Sequence, residues 1–579
     1  MEKIRDKGGR FISKGKQSKI TSIESNRQKN VTVEVPSTNS QSDPNDPPPD
    51  PNDDLQDPIH ILEHSYAYDP SINGHCDEEV VPDENEDTSH LIEWDTGRRI
   101  LELGFVVNKL IEGCYKCKHS LNLRDICGEK RYGLGSLLHI KCTLCSTVNY
   151  VPTGKRHSRS DNNGIRAFDV NTKVALGMLH AGIGEKKLSM LLSVLNIPPL
   201  SKTSLKKSER EVGRAVEDVA KNSCKEFATA EVESFGNDDL SVSFDGGWQK
   251  RGSGRSYSSL SGHAAMIGKE TGKCIAYATR NKFCRVCERA ERTKKDIPEH
   301  DCRKNWSGSS KAMEPDMCIG MMKDLQDSNI HIGSIIMDND STTVARARAE
   351  VNPALKKQCD RNHTLKQFTN KLYELKKSKN YKELNSKTIQ HLSKCFKYCI
   401  SQNENDPSGM KKNLEAIGRH VYGDHTFCES WCKYLASPLT YKPIQLPYHR
   451  YLNNLDLKSD LTSLLSLYIS QADKLVDLGS TQPNESLNNT IASKTPKQNF
   501  YSGSESNDFR VAAAIAQKNL GHQYVTEVNE RLLLSPGEIT SSNARKVDLK
   551  RKKTKETEDT RKKGHRKRWT SIDRRSQQK

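Results

Sequence analysis

The sequence predicts an α/β protein. A sheet-bearing core is preceded by a zinc ribbon and a small helical domain, and disordered segments flank the whole. Three observations predict it. Apolar, strand-like runs at Leu240–Ile275 and Ile330–Met337 stand among stretches of helical periodicity. Two Cys-x-x-Cys pairs precede the first of those runs. The 579-residue chain has 34% hydrophobic residues and a mean hydropathy of −0.78, too polar for one packed globule from end to end.

The elements follow in order. Residues 1–90 are predicted to be disordered, because Asp46-Pro47-Pro48-Pro49-Asp50-Pro51 and the acidic runs after it cannot bury enough apolar surface to offset ordering entropy. An amphipathic helix is expected to begin near Leu91, with Trp94, Leu101, Phe105, Leu110 and Ile111 on its apolar face, and the cysteine module completes a unit over 91–155. A helical domain over 165–232 has turns at Gly182–Gly184 and Pro198-Pro199. Its arrangement is compatible with a helix-turn-helix whose last helix carries Lys202, Lys206, Lys207 and Arg210; the alternative is an ordinary helical linker. The core begins over 238–342 and carries a charged Cys/His insert at 281–310. A mainly helical insertion covers 343–480, and the core resumes over 481–525. The tail 540–579 is expected to be basic and disordered, with 15 basic against 5 acidic residues between Arg545 and Arg575.

Composition narrows the class of function. No run approaches the ~18 apolar residues of a membrane span, and the polar first thirty residues offer no secretory signal. Lys and Arg number 91 against 74 acidic residues, a formal charge of +17 that favours a polyanionic partner. Seventeen cysteines without an export signal favour zinc or buried thiols over disulfides. Lys550-Arg551-Lys552-Lys553 and Arg561-Lys562-Lys563 read as nuclear import signals, so a nuclear location is expected.

Cys114, Cys117, Cys142 and Cys145 form two knuckles separated by 24 residues. Each knuckle puts two thiolates on one turn. Strands at Leu121–Leu123 and Leu137–Lys141 are expected to bring the turns together around a structural Zn²⁺. Cys284, Cys287, His300 and Cys302 have spacing for a Cys₃His shell around a charged loop. His420, His425, Cys428 and Cys432 make a third candidate set, with core packing beside Phe427 and Trp431 as the alternative.

Asp245 ends an apolar run and precedes Gly246-Gly247-Trp248, where two glycines let another group approach the backbone. Asp338 follows the apolar run Ile335-Ile336-Met337 in the same way. Glu485 lies at an expected helix start after Pro483. Three carboxylates from two strands and a helix can hold two divalent ions ~3.5–4 Å apart. Oxygen donors select Mg²⁺ or Mn²⁺. An Asp at a strand end can equally be a turn or cap residue.

The stretch from Trp94 to Leu520 resembles the Mutator-like element transposases, in the branch found in animal genomes. The resemblance rests on the Cys-x-x-Cys pairs, Asp245-Gly246-Gly247-Trp248, Asn305–Glu314, Asp338-Asn339-Asp340-Ser341, Cys359-Asp360-Arg361-Asn362-His363 and Asn484-Glu485-Ser486-Leu487-Asn488-Asn489. It implies a ribonuclease H-like mixed sheet with a helical insertion, for which the 146 residues between Asp338 and Glu485 leave room. It implies that Asp245, Asp338 and Glu485 are the catalytic metal ligands of a DDE triad. Asp340 competes with Asp338, which is preferred because it directly follows the apolar run. Asp360 and His363 are expected to support the site or target DNA.

The expected activity is metal-dependent cleavage at transposon ends, followed by strand transfer. The expected partners are terminal-repeat and target DNA and further copies of the chain. Two rival readings are a catalytically inactive, transposon-derived zinc and DNA-binding protein, and a nuclease-like scaffold that binds no DNA.

Overall fold

The computed structural model describes residues 94–159, 166–236, 239–249, 258–338, 341–429 and 431–577. The N-terminal region expected to be disordered, and Asp340, lie outside them.

The expected first helix is shorter than the periodicity implies. Helix α1 spans Leu103–Glu112. The chain before it turns at 94–97 and then stays non-helical, because the Glu102 N–H donates to Thr153 O at 2.8 Å and the Arg98 N–H to Asn196 O at 2.8 Å. Strands β1 (Ile126–Tyr132), β2 (Gly135–Lys141) and β3 (Val148–Pro152) then form an antiparallel sheet in that order. Leu121–Leu123 is not a strand: Asn122 accepts from the Arg124 N–H and starts a short 3₁₀ turn, so pairing begins only at Ile126. Strands β4 (Arg156–His157) and β5 (Ala167–Phe168) form a small ribbon before the helices.

Helices α2 (Asp169–Ala181) and α3 (Glu185–Val194) break at Gly182, whose left-handed conformation ends α2. Helix α4 runs from Lys202 to Phe235 with Ser201 as its N-cap. This is longer than a recognition helix. Leu205, Val212, Ala215, Val216 and Val219 share one core with Ala265 and Ile267 of the sheet that follows. Helices α2, α3 and α4 thus pack as a helical layer on that sheet. Arg210 is ion-paired with Glu505 at 2.6 Å and Lys206 with Glu209 at 3.0 Å, so two of the four basic residues expected to face DNA already have acidic partners in the protein.

The central sheet contains β6 (Asp239–Trp248), β7 (Ser261–Gly268), β8 (Cys274–Asn281), β9 (His331–Met337) and β10 (Lys356–Cys359). Its order is β10-β9-β6-β7-β8. The three strands β6, β7 and β8 form an antiparallel meander, while β9 and β10 run parallel to β6. Between β8 and β9 lie α5 (Arg285–Thr293), within the Cys/His insert, and α6 (Met313–Asp327). Helix α7 (Ser341–Glu350) connects β9 to β10. Strand β10 lies inside the stretch expected to be insertion. It is short and polar, and sequence alternation does not mark it.

Alternation sets the two faces of the sheet. Leu240, Val242, Phe244 and Met337 pack with Met313, Met317 and Met321 of α6 and Val344 of α7. Ala265, Ile267 and Cys274 face the opposite way, towards α4 and the helices from the C-terminal part of the chain.

The insertion proper has its own core. Helices α8 (Arg361–Lys379), α9 (Ser386–Gln402), α10 (Pro407–His420) and α11 (Leu455–Ile469) bury Phe368, Phe396, Leu414 and Leu461 together. Its two ends meet, since Asp360 and Gly479 form a parallel bridge. The chain then returns to the sheet as α12 (Gln482–Lys494), α13 (Ser506–Leu520) and α14 (Tyr524–Arg531). Helix α15 (Glu538–Gln577) occupies the tail expected to be disordered. It is fastened near its start, where Asp548 accepts from the His522 N–H at 2.9 Å. Among the described residues no helix is long and apolar enough to cross a membrane.

Candidate functional site

The site forms where the parallel part of the sheet meets α12. Ser243 on β6 lies opposite Ile336 on β9, so two residues further on Asp245 is level with Asp338. Both acids alternate with residues that pack on α6 and α7, namely Phe244 and Met337. The carboxylates therefore point to the other face, the one covered by α12. Asn484 docks that helix: its amide donates to Ala265 O at 2.9 Å and to Ser243 O at 3.3 Å. Glu485 sits in the helix's first turn and accepts a hydrogen bond from the Gln482 amide. Asn488, three residues after Glu485, donates to Asp245 Oδ2 at 2.8 Å.

Asp360 and His363 join the same site. His363 Nδ1 is 3.2 Å from Asp338 Oδ1, and its Nε2 is 3.9 Å from Glu485 Oε1. Asp360 is 1% exposed, and its charge helps raise the Asp338 carboxyl. It caps α8 by accepting from the His363 N–H at 2.7 Å, and accepts from Thr481 N at 2.8 Å and Thr481 Oγ1 at 3.0 Å. One buried carboxylate thus fixes both the helix carrying His363 and the approach to the helix carrying Glu485.

Electrostatics ties the acids together. Burial pushes the Asp245 carboxyl up to about 7, assisted by the negative charges of Glu314, Asp338 and Glu485. Asp338 is also raised, chiefly by burial, with His363 opposing. Glu314, in the first turn of α6, is a member the sequence reading missed. A Cβ on Gly246 would stand 3.4 Å from its carboxyl carbon. Its only sequence signal is its position at the end of Asn305–Glu314. Concentrated negative charge from oxygen donors suits a hard divalent cation, which relieves the repulsion. The arrangement is wider than a single closed coordination shell. Among the described residues, the groups whose ligand atoms all lie within 4.8 Å of one another are the three Cys/His sets.

All three of those sets assemble. Around a Zn²⁺ with ~2.3 Å Zn–S bonds, tetrahedral sulfurs stand about 3.8 Å apart. Cys114–Cys145 and Cys117–Cys142 are 3.6 and 3.5 Å apart, sulfur to sulfur. In the second set, His300 Nε2 is 3.2 Å from Cys284 and 3.5 Å from Cys287, which is 3.5 Å from Cys302. The His300 Nδ1 lies 2.8 Å from Pro298 O, a contact that leaves Nε2 to face the metal position. In the third set the Nδ1 atoms of His420 and His425 are 3.1 Å apart, and Cys432 lies 3.5 and 3.4 Å from them. Cys428 Sγ is 3.5 Å from His420 Nδ1. Each histidine turns its Nε2 to a tyrosine hydroxyl, His425 to Tyr451 at 3.0 Å and His420 to Tyr441 at 3.3 Å. Phe427 lies against Arg419, 4.3 Å from ring centre to guanidinium, while Trp431 packs beside His420 with ring centres 5.3 Å apart. Each set could hold a structural zinc ion.

Residues 97–432 match the family model of the Mutator-like transposases, more than half of the chain. The protein belongs to the Mutator-like transposase family, which makes DNA its implied partner. The matched stretch contains Asp245, Asp338 and His363 and ends before Glu485. No curated protein matches the chain.

Proposed function

We propose that the protein is a DDE-type DNA transposase with a ribonuclease H-like core, in which Asp245, Asp338 and Glu485 hold the catalytic Mg²⁺ or Mn²⁺ ions. One observation carries this reading. Two acids stand level on neighbouring parallel strands, facing the helix that supplies the third, with His363 between Asp338 and Glu485. The strand order supports it too, an antiparallel meander followed by two strands parallel to its first, with a helical insertion before the last acid.

When bound, the divalent ions would activate a water or a DNA 3′-hydroxyl and stabilise the leaving oxygen of the phosphodiester. The chain's own residues set the geometry. Asp245 and Asp338 present carboxylates from a rigid sheet, Asp360 and Thr481 fix the start of α12, and His363 orients Asp338 and Glu485. In cleavage the water oxygen joins phosphorus as the bond to the 3′-oxygen breaks, which frees a 3′-hydroxyl. In transfer that hydroxyl joins a target phosphorus and releases the target's own 3′-oxygen. The three Cys/His sets would hold structural Zn²⁺. The protein would act in the nucleus, assembled with further copies so that two transposon ends are held together.

The test is a strand-transfer assay with Mg²⁺ or Mn²⁺ on DNA carrying the element's ends. Wild type transfers strands and Asp245→Asn binds DNA without transfer. Equal inactivity of both, with DNA binding intact, would establish the non-cleaving DNA-binding protein instead.

A further inference from the structure

We propose that His263 is a positioning residue that fixes the Asp245 carboxylate through Asn488, so that a divalent cation meets a preset ligand. The inference rests on the reading of Asp245 as a metal ligand and adds to it a neutral relay that orients that ligand.

His263 lies on β7 directly opposite Gly247 of β6. A Cβ on Gly247 would stand 2.2 Å from His263 Nε2. The second glycine after Asp245 is thus the space through which the imidazole reaches across the strand. His263 Nε2 lies 3.2 Å from Asn488 Oδ1, and Asn488 Nδ2 lies 2.8 Å from Asp245 Oδ2. The two ends of the amide are committed to different neighbours. The oxygen faces an N–H donor and the nitrogen faces a carboxylate, so the amide has one productive orientation.

Burial drives the His263 pKa down to about 4, which keeps the ring neutral near pH 7. A neutral ring pointing Nε2 at an amide oxygen carries its proton on that nitrogen. The relay therefore runs from imidazole N–H to amide oxygen, then from amide N–H to carboxylate, and adds no positive charge. A lysine or arginine in its place would also hold Asp245 but would compete with the cation for the carboxylate's charge. The neutral relay fixes carboxylate rotation and leaves the charge available to a metal. It also links β7 to α12 at Asn488, three residues after Glu485, so two proposed ligands are set by one helix.

The test uses the full chain with Mn²⁺ alone as probe. Free Mn²⁺ is followed by electron paramagnetic resonance, and the site is defined as the binding that Asp245→Asn abolishes. Loss of an outer-shell partner typically costs 10–100-fold in metal affinity, so His263→Phe and Asn488→Ala are each expected to weaken this site by about tenfold or more. His263→Gln, which restores an N–H donor, is expected to recover most of the loss. Melting of the metal-free variants checks folding. If His263→Phe does not fold, Asn488→Ala decides, since alanine suits a helix interior. Wild-type Mn²⁺ affinity in a folded His263→Phe or in Asn488→Ala would overturn the relay, as would a His263→Gln variant no better than His263→Phe. Intact DNA cleavage with unchanged Mn²⁺ binding would sink the relay alone. The expected Mn²⁺ shifts in a wild type that never cleaves DNA would sink the transposase reading alone.

Discussion

His363 Nδ1 lies 3.2 Å from Asp338 Oδ1 although the two residues belong to different elements, the end of β9 and the first turn of α8. The contact depends on Asp360, which caps α8 through the His363 N–H and accepts two further bonds from Thr481. Removing that buried carboxylate leaves donors on both sides of the insertion unpaired. Asp360→Ala is expected to destabilise the protein by about 3 kcal/mol, and to reduce strand transfer further by releasing the approach to Glu485. His363→Ala, on a half-exposed side chain, should leave the melting temperature nearly unchanged and lower only the transfer rate. Urea melts and single-turnover transfer on both variants separate the two roles.

The Asp245 carboxyl is raised to about 7 by burial and by Glu314, Asp338 and Glu485. A carboxyl in an unfolded chain titrates near ~3.9. Between those values the folded state holds a proton that the unfolded state has given up. The contribution of this carboxyl to stability is therefore complete below pH ~4 and falls as pH rises towards 7. Metal-free protein should melt at lower temperature at pH 7 than at pH 5. Added Mn²⁺ should reverse most of the loss, and Asp245→Asn should leave only the part that the raised Asp338 carboxyl contributes. Glu314→Gln should lower the Asp245 pKa, and so move the onset of Mn²⁺ binding to lower pH in titrations.

His157 gives a second pH dependence in a different window. Its ring is 2.9 Å from Asp169 and 2.9 Å from Glu211, and Asp169 first, then Glu211, hold its pKa up at about 9. A histidine raised above its unfolded value of ~6.5 contributes stability that is full below that pH and is lost as pH rises through 9. His157→Gln should abolish this alkaline decline and cost about 2 kcal/mol at pH 6 in chemical denaturation.

The metal content should be three zinc ions per chain, one for each Cys/His set. Cys117→Ser, Cys287→Ser and Cys432→Ser should each remove one by elemental analysis. The ribbon core is small, with Leu121, Leu138, Ile140 and Val151 beside its cysteines. Chelation should therefore unfold the ribbon at temperatures where the central sheet persists, as seen by hydrogen exchange.

The sequence carried the acids more clearly than it carried their supports. Asp245 and Asp338 stand out because each ends a strongly apolar run, and runs of that kind are strands whatever surrounds them. The cysteine pairs stand out because two thiolates on one turn have few other uses. Strand β10 was hidden because Lys356-Lys357-Gln358-Cys359 has no apolar alternation and forms by pairing with β9 alone. The packing of α4 left little trace in the sequence, because ion partners of its basic residues such as Glu505 lie almost 300 residues away in the chain. His263 reaches the site through the gap left by Gly247 and Glu314 comes in beside Gly246, and such long-range fits leave no periodic trace.

The most direct test of the central claim is anomalous diffraction from crystals of the protein grown with Mn²⁺. The account predicts Mn²⁺ peaks within coordination distance of Asp245, Asp338 and Glu485 together. Manganese bound elsewhere, or held by one of these carboxylates while another turns away, would contradict it.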